Sequence, residues 1–126
     1  MAGRLLNALL VVHSGLFRAG LLISAIVAGW GLYMYVRRLS PTSGFRSTLV
    51  LTEGLFIVQG LLGIAIFLGG RRPHDNLHWL YGVLLVIVLP IALSYTSGRN
   101  DRQQSLVFGL AGLFMVGLAI RALTTA

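Results

Sequence analysis

Four stretches free of charged residues, Ala19–Val36, Gly54–Gly70, Asn76–Gly98 and Gln103–Ile120, occupy most of the chain and run 18, 17, 23 and 18 residues. A helix rises about 1.5 Å per residue and has to cross roughly 30 Å of hydrocarbon, so each run approaches the length of a membrane span. Ser47–Leu51 can extend the shortest. Lipid offers the backbone no hydrogen-bond partners, which makes such spans helices. The sequence therefore predicts an all-α membrane protein with one domain, 1–126, and spans near 19–36, 49–70, 77–97 and 103–121.

The connections sharpen this. Arg37–Arg46 holds proline, glycine and serine, while Arg71–Asp75 and Arg99–Arg102 are very short. Short connections make antiparallel neighbours, so the expected arrangement is an up-down-up-down four-helix bundle. Ahead of the first span, Arg4, Asn7, Ser14 and Arg18 fall on one helical stripe, with Leu5, Leu6, Leu9, Leu10, Leu16 and Phe17 around the rest. Residues 4–18 are expected to form an amphipathic helical segment that lies in the interface or projects, entering the bilayer near Arg18. No small-residue cleavage pattern follows the short apolar run from Leu5 to Val12, which argues against a signal peptide.

Of the 126 residues, 56% are hydrophobic and only 10% charged, which leaves no room for a separate soluble module. The formal charge of +7 comes from ten arginines, no lysine and the acids Glu53, Asp75 and Asp101. Arginines at span ends point to anionic lipid headgroups as partners, with Arg4, Arg18, Arg37, Arg38, Arg71 and Arg72 as the candidate contacts. Nucleic acid is excluded as a partner, because the aromatic residues lie in or beside the apolar runs and not on a solvated basic face. Five arginines on one side against four on the other place the termini on the non-cytoplasmic face of a bacterial cytoplasmic membrane by a narrow margin. Trp30, Tyr33 and Tyr35 mark one interface, and Trp79 and Tyr81 the other.

Sixteen glycines accompany these spans. Small residues let membrane helices approach closely, and the expected packing positions are Gly20, Ser24, Ala28, Gly60, Gly63, Gly109, Gly112 and Gly117. Laid over one another, Ile57–Gly69 and Leu106–Leu118 agree at four of thirteen positions, including Gly60 with Gly109 and Gly63 with Gly112. A duplicated helical hairpin would make those glycines equivalent.

The absence of cysteine excludes disulfides, iron–sulfur clusters, thiolate zinc sites and thioether-linked haem, leaving histidine as the strong soft-metal ligand. In an up-and-down bundle His13 and His78 fall at similar depths on different helices, the arrangement that axial ligation of haem b or a bacteriochlorophyll-like pigment requires. Gly82 shares the face of His78 and leaves space for a ring edge. His74 and His78 also have the spacing of a zinc peptidase helix, but Asp75 replaces the glutamate base of that motif and Pro73, Asp75 and Asn76 read as a helix start. No nucleophile elbow or phosphate loop is present, so the chain is expected not to be an enzyme.

Other intramembrane polar groups are few. Gln59 reads as a helix-to-helix hydrogen bond, Glu53 as an acid at a helix start within reach of Arg37, Arg38 or Arg46, and Pro90 as a bend. Three expectations follow. The first is a non-catalytic accessory subunit, without a cofactor, packing against larger integral membrane subunits of a bacterial electron-transfer complex. The second is a small haem or bacteriochlorophyll protein using His13 and His78. The third is an oligomeric transporter or channel protomer, disfavoured because four helices this apolar enclose no aqueous path.

Overall fold

The computed structural model describes residues 2–72, 75–98 and 101–125. These form four helices, α1 (Ala2–Val36), α2 (Ser43–Leu68), α3 (Leu77–Tyr95) and α4 (Arg102–Thr125), with no strand among the described residues. All four are long and apolar enough to cross a membrane.

Helix α1 runs through residues 4–18 into the first span without a break, giving 35 residues and about 52 Å of helix. Its stripe of Arg4, Asn7, Ser14 and Arg18 is exposed, while Leu6, Leu9, Leu10 and His13 on the opposite side are half-buried. The segment packs on the rest of the molecule: Leu6 meets Gly69, and His13 meets Gly63.

Helix α2 starts six residues before the expected 49. The cause is local: Thr42 is extended and its hydroxyl oxygen accepts the Phe45 amide at 3.2 Å, one of the amides that no helical carbonyl can reach. Phe45 is thereby brought into the helix and buried, edge-on to Trp30 at 5.3 Å and to Phe108 at 6.3 Å. The chain leaves α2 through Gly69 and Gly70, where Gly70 has φ +100°, a conformation that needs no Cβ. The Asp75 carboxylate caps α3 by accepting the Leu77 amide at 3.0 Å. Arg102 opens α4 and is held by α1, donating from Nε to the Tyr35 carbonyl at 2.9 Å with its guanidinium 4.1 Å from the Tyr35 ring centre.

Neighbours in space follow neighbours in sequence, and the ring is closed by α4 against α1, so that α1 and α3 face each other across a diagonal. The α1–α4 seam is the tightest. A Cβ on Gly31 would lie 2.7 Å from the Gly109 Cα, and one on Gly112 would lie 2.7 Å from the Ala28 backbone nitrogen. Backbones meet directly here, which is how glycine and alanine favour association where lipid supplies no hydrophobic drive. Val27, Met34, Phe108 and Met115 fill the space beside this seam and are almost wholly buried. The same end carries a polar latch: Ser105 Oγ donates to the Leu39 carbonyl at 2.8 Å, and Gln104 Nε2 donates to Thr96 Oγ1 at 3.2 Å. Outside, Leu22, Val50, Leu68, Val83 and Leu123 are exposed, an apolar exterior suited to lipid rather than water.

The expected packing residues divide. Gly20 presses on the Phe56 ring, Ser24 and Ala28 are buried, and Gly109 and Gly112 lie in the tight seam, whose partner Gly31 the sequence analysis did not single out. A Cβ on Gly60 or Gly117 would meet nothing within 4 Å, so neither is a close-approach position. The paired glycines of the faint repeat are thus used differently. Gly109 and Gly112 touch backbone, whereas Gly60 borders open space and Gly63 faces an imidazole.

Candidate cofactor site

Helices α2 and α3 share the loosest seam of the bundle, and between them lies a cleft of about 470 Å³. That is within the range of about 300–1,000 Å³ usual for cofactor and small-molecule sites. Leu10, His13 and Phe17 of α1 form its floor. Phe56, Gln59, Gly60 and Gly63 of α2 line one wall, and His78, Gly82, Leu85 and Val86 of α3 the other. Arg71, Arg72 and Trp79 stand at one end. Pro90 lies four residues beyond Val86 and lacks the amide that would bind the Val86 carbonyl, so α3 loses one rung beside the inner end of the cleft.

His13 and His78 come together here from diagonally opposed helices, with ring centres 6.3 Å apart and planes at 65°. This spacing has a chemical meaning. With a metal–nitrogen bond of about 2.0 Å and a ring nitrogen about 1.15 Å from its ring centre, two imidazoles in line across one metal ion have centres about 6.3 Å apart.

The surroundings of the two rings bear on the same point. His78 Nδ1 lies 2.9 Å from the Ala122 carbonyl, which can only accept, so the bonded Nδ1 carries the proton and Nε2 keeps its lone pair. A second-sphere carbonyl fixes the tautomer of metal-binding histidines in this way. Thr125 Oγ1 lies 3.4 Å from the same nitrogen. Across the cleft, Gln59 Nε2 donates to the His13 main-chain carbonyl at 2.6 Å and ties that turn of α1 to α2. His13 Nδ1 and Gln59 Oε1 are buried with no hydrogen-bond partner. Unsatisfied polar atoms are costly away from water, and these two belong to residues lining one cleft.

Space for a flat ring is supplied by glycines. Gly60 and Gly82 have nothing within 4 Å of where a Cβ would stand, and Gly63 faces His13 Cε1 at 3.6 Å from that position. The residues present therefore fit an apolar, planar, metal-centred group in two respects: two imidazoles at one cleft, and open space at Gly60 and Gly82.

The other sequence candidates are placed as follows. His74 lies outside the described residues, and no three of His, Cys, Asp and Glu converge among the described ones, so a third ligand to complete a peptidase-like zinc set is not found there. Arg4, Arg18, Arg37 and Arg38 are exposed and away from the cleft. Glu53 Oε1 is buried with no hydrogen-bond partner, so the expected pairing with Arg37, Arg38 or Arg46 does not form at that oxygen. Gln59 does make the predicted helix-to-helix hydrogen bond, but its acceptor is the carbonyl behind a candidate ligand, a role the sequence alone did not reveal. Comparison with protein-family models, with curated proteins and with solved structures finds no match to this chain.

Proposed function

We propose that this chain is an integral membrane protein that binds one b-type haem through His13 and His78 and serves as a one-electron carrier. The observation that carries the reading is the 6.3 Å separation of the two imidazoles across the bundle diagonal. It is supported by the Ala122 carbonyl on His78 Nδ1 and the open space at Gly60 and Gly82; His13 Nδ1 has no such second-sphere partner. When bound, haem supplies an iron centre that gains and loses one electron. The protein's part would be to supply both imidazoles, to keep water from the ring with Phe17, Phe56 and Leu85, and to fix the His78 tautomer. Two imidazoles at one cleft would suit haem iron better than the magnesium of a bacteriochlorophyll, which ordinarily takes one histidine.

The up-down-up-down course belongs to this reading. It is supported by contacts that run in opposite numerical order: His13 with Gly63 and Gly20 with Phe56, then Gly31 with Gly109 and Ala28 with Gly112, then His78 with Ala122 and Thr96 with Gln104. A place beside larger subunits is compatible with it. Gly29, Gly54 and Gly117 are exposed with open space around them, small-residue positions that this bundle does not use.

The test is a reduced-minus-oxidised absorption spectrum of the gently solubilised protein, with haem titrated into the haem-free form. Sharp low-spin bands at one haem per chain, lost in His13→Ala and in His78→Ala, are expected. A full complement of chains that takes up no haem, or bands that survive both substitutions, overturns the reading. Elution of a colourless chain only with larger partners would favour the accessory subunit instead.

A further inference from the structure

Apart from His13, His78 and Gln59, the cleft is apolar except at one end, where the chain leaves α2 through Arg71 and Arg72. Both arginines are exposed side chains that also line the cleft, and among the described residues no carboxylate pairs with either. Arg72 is not loosely placed. Its guanidinium lies 5.3 Å from the Phe67 ring centre, and that ring meets Trp79 edge-on at 5.3 Å. Trp79 directly follows His78, so the stack ties the position of the cation to the helix that carries a candidate ligand.

Two guanidinium groups with no carboxylate partner among the described residues, at the mouth of a hydrophobic cleft, specify a ligand with an apolar body and an anionic end. A guanidinium binds carboxylate through two parallel N–H donors, a geometry that lysine cannot reproduce. Porphyrins carrying two free propionates have this shape. Bacteriochlorophyll does not, because its acid groups are esterified. A phospholipid anion shares the chemistry at the headgroup, but it has no use for the pair of imidazoles 6.3 Å apart.

We propose that Arg71 and Arg72 bind the propionates of the haem and set its orientation, with the carboxylates directed to the α2–α3 connection and the apolar edge towards Phe56 and Ile87. This rests on the haem reading given above. It makes the two arginines specificity-determining residues that choose a free-acid porphyrin over an esterified one.

The experiment compares binding of protohaem and of its dimethyl ester to the full chain in detergent, and repeats both titrations in nanodiscs of purely zwitterionic lipid and of mixed anionic lipid. Wild-type protein is expected to bind the free acid at least about tenfold more tightly than the ester, the scale of losing a charge-assisted contact. In Arg71→Gln/Arg72→Gln that preference should vanish while the low-spin spectrum of the ester complex and the thermal midpoint of the haem-free protein stay unchanged. Arg71→Lys/Arg72→Lys should restore part of the preference. Equal binding of acid and ester by wild type overturns this proposal and leaves histidine ligation standing. Failure of both forms to bind overturns the haem reading itself. A preference that disappears in anionic lipid, with unchanged affinity for the ester, would show that the arginines serve lipid phosphate and would also overturn it.

Discussion

The α1–α4 and α2–α3 seams are built from the same residue types and do opposite things. On the first, glycine and alanine bring two backbones into contact, and no side chain longer than theirs can be inserted. On the second, glycines at 60 and 82 border empty space, and the helices stand apart around a cleft. A membrane bundle has no hydrophobic drive for helix association, so where its small residues face one another decides which helices close and which stay open. Glycine content alone does not say which use is made of it.

The difference can be broken most severely at the closed seam. Gly109→Leu should drive a side chain into the Gly31 and Leu32 backbone and destabilise the bundle by about 3 kcal/mol or more, measured by unfolding in mixed micelles, whereas Gly60→Ala should stay within about 0.5 kcal/mol. Equal losses would mean that the two seams are not distinct. Next in size, Gly82→Leu should fill the cleft and weaken haem binding about tenfold or more while the unfolding midpoint of the haem-free chain holds, so unchanged haem affinity would move the site elsewhere.

Smaller effects should separate the two ends of the molecule. Gln59→Leu removes the donor to the His13 carbonyl and should cost about 1 kcal/mol, with haem affinity falling alongside. Gln104→Leu removes the bond to Thr96 and the one that Gln104 Oε1 accepts from Arg46, and should cost as much or more with no change in haem affinity. Parallel behaviour of the two variants in a haem titration would contradict the separation. Smallest of all, Thr125→Val removes the 3.4 Å contact to His78 Nδ1 together with the hydroxyl's intrahelical bonds to the Arg121 and Ala122 carbonyls, and the haem absorption maximum should shift slightly without loss of binding.

The four helices were legible because charge-free length is a direct imprint of bilayer thickness. The start of α2 was misplaced because Thr42 caps the helix before the apolar run begins, and a cap is read from one side chain rather than from hydropathy. His13 and His78 could be named as candidates from chain order alone, but their approach depends on α1 continuing unbroken through residues 4–18. An interfacial turn at Arg18 would have carried His13 away from the bundle. The sequence passes over Gly31 and points to close packing at Gly60 and Gly117, where a Cβ would meet nothing within 4 Å, for one reason. Periodicity identifies a small-residue face, whereas the azimuth of a neighbouring helix is a property of the assembled bundle.

The tight α1–α4 seam also imposes an order on biosynthesis. Gly31 and Gly109 are separated by 78 residues, so a ribosome adding about 5–20 residues per second delivers the second roughly 4–16 s after the first. During that interval α1 is in the membrane with its closing face uncovered, and α2 is the available partner. His78 is added within that interval, and the Ala122 carbonyl that holds its Nδ1 arrives last of all. On the haem reading, the site would be completed by the final helix, and loading would follow translation.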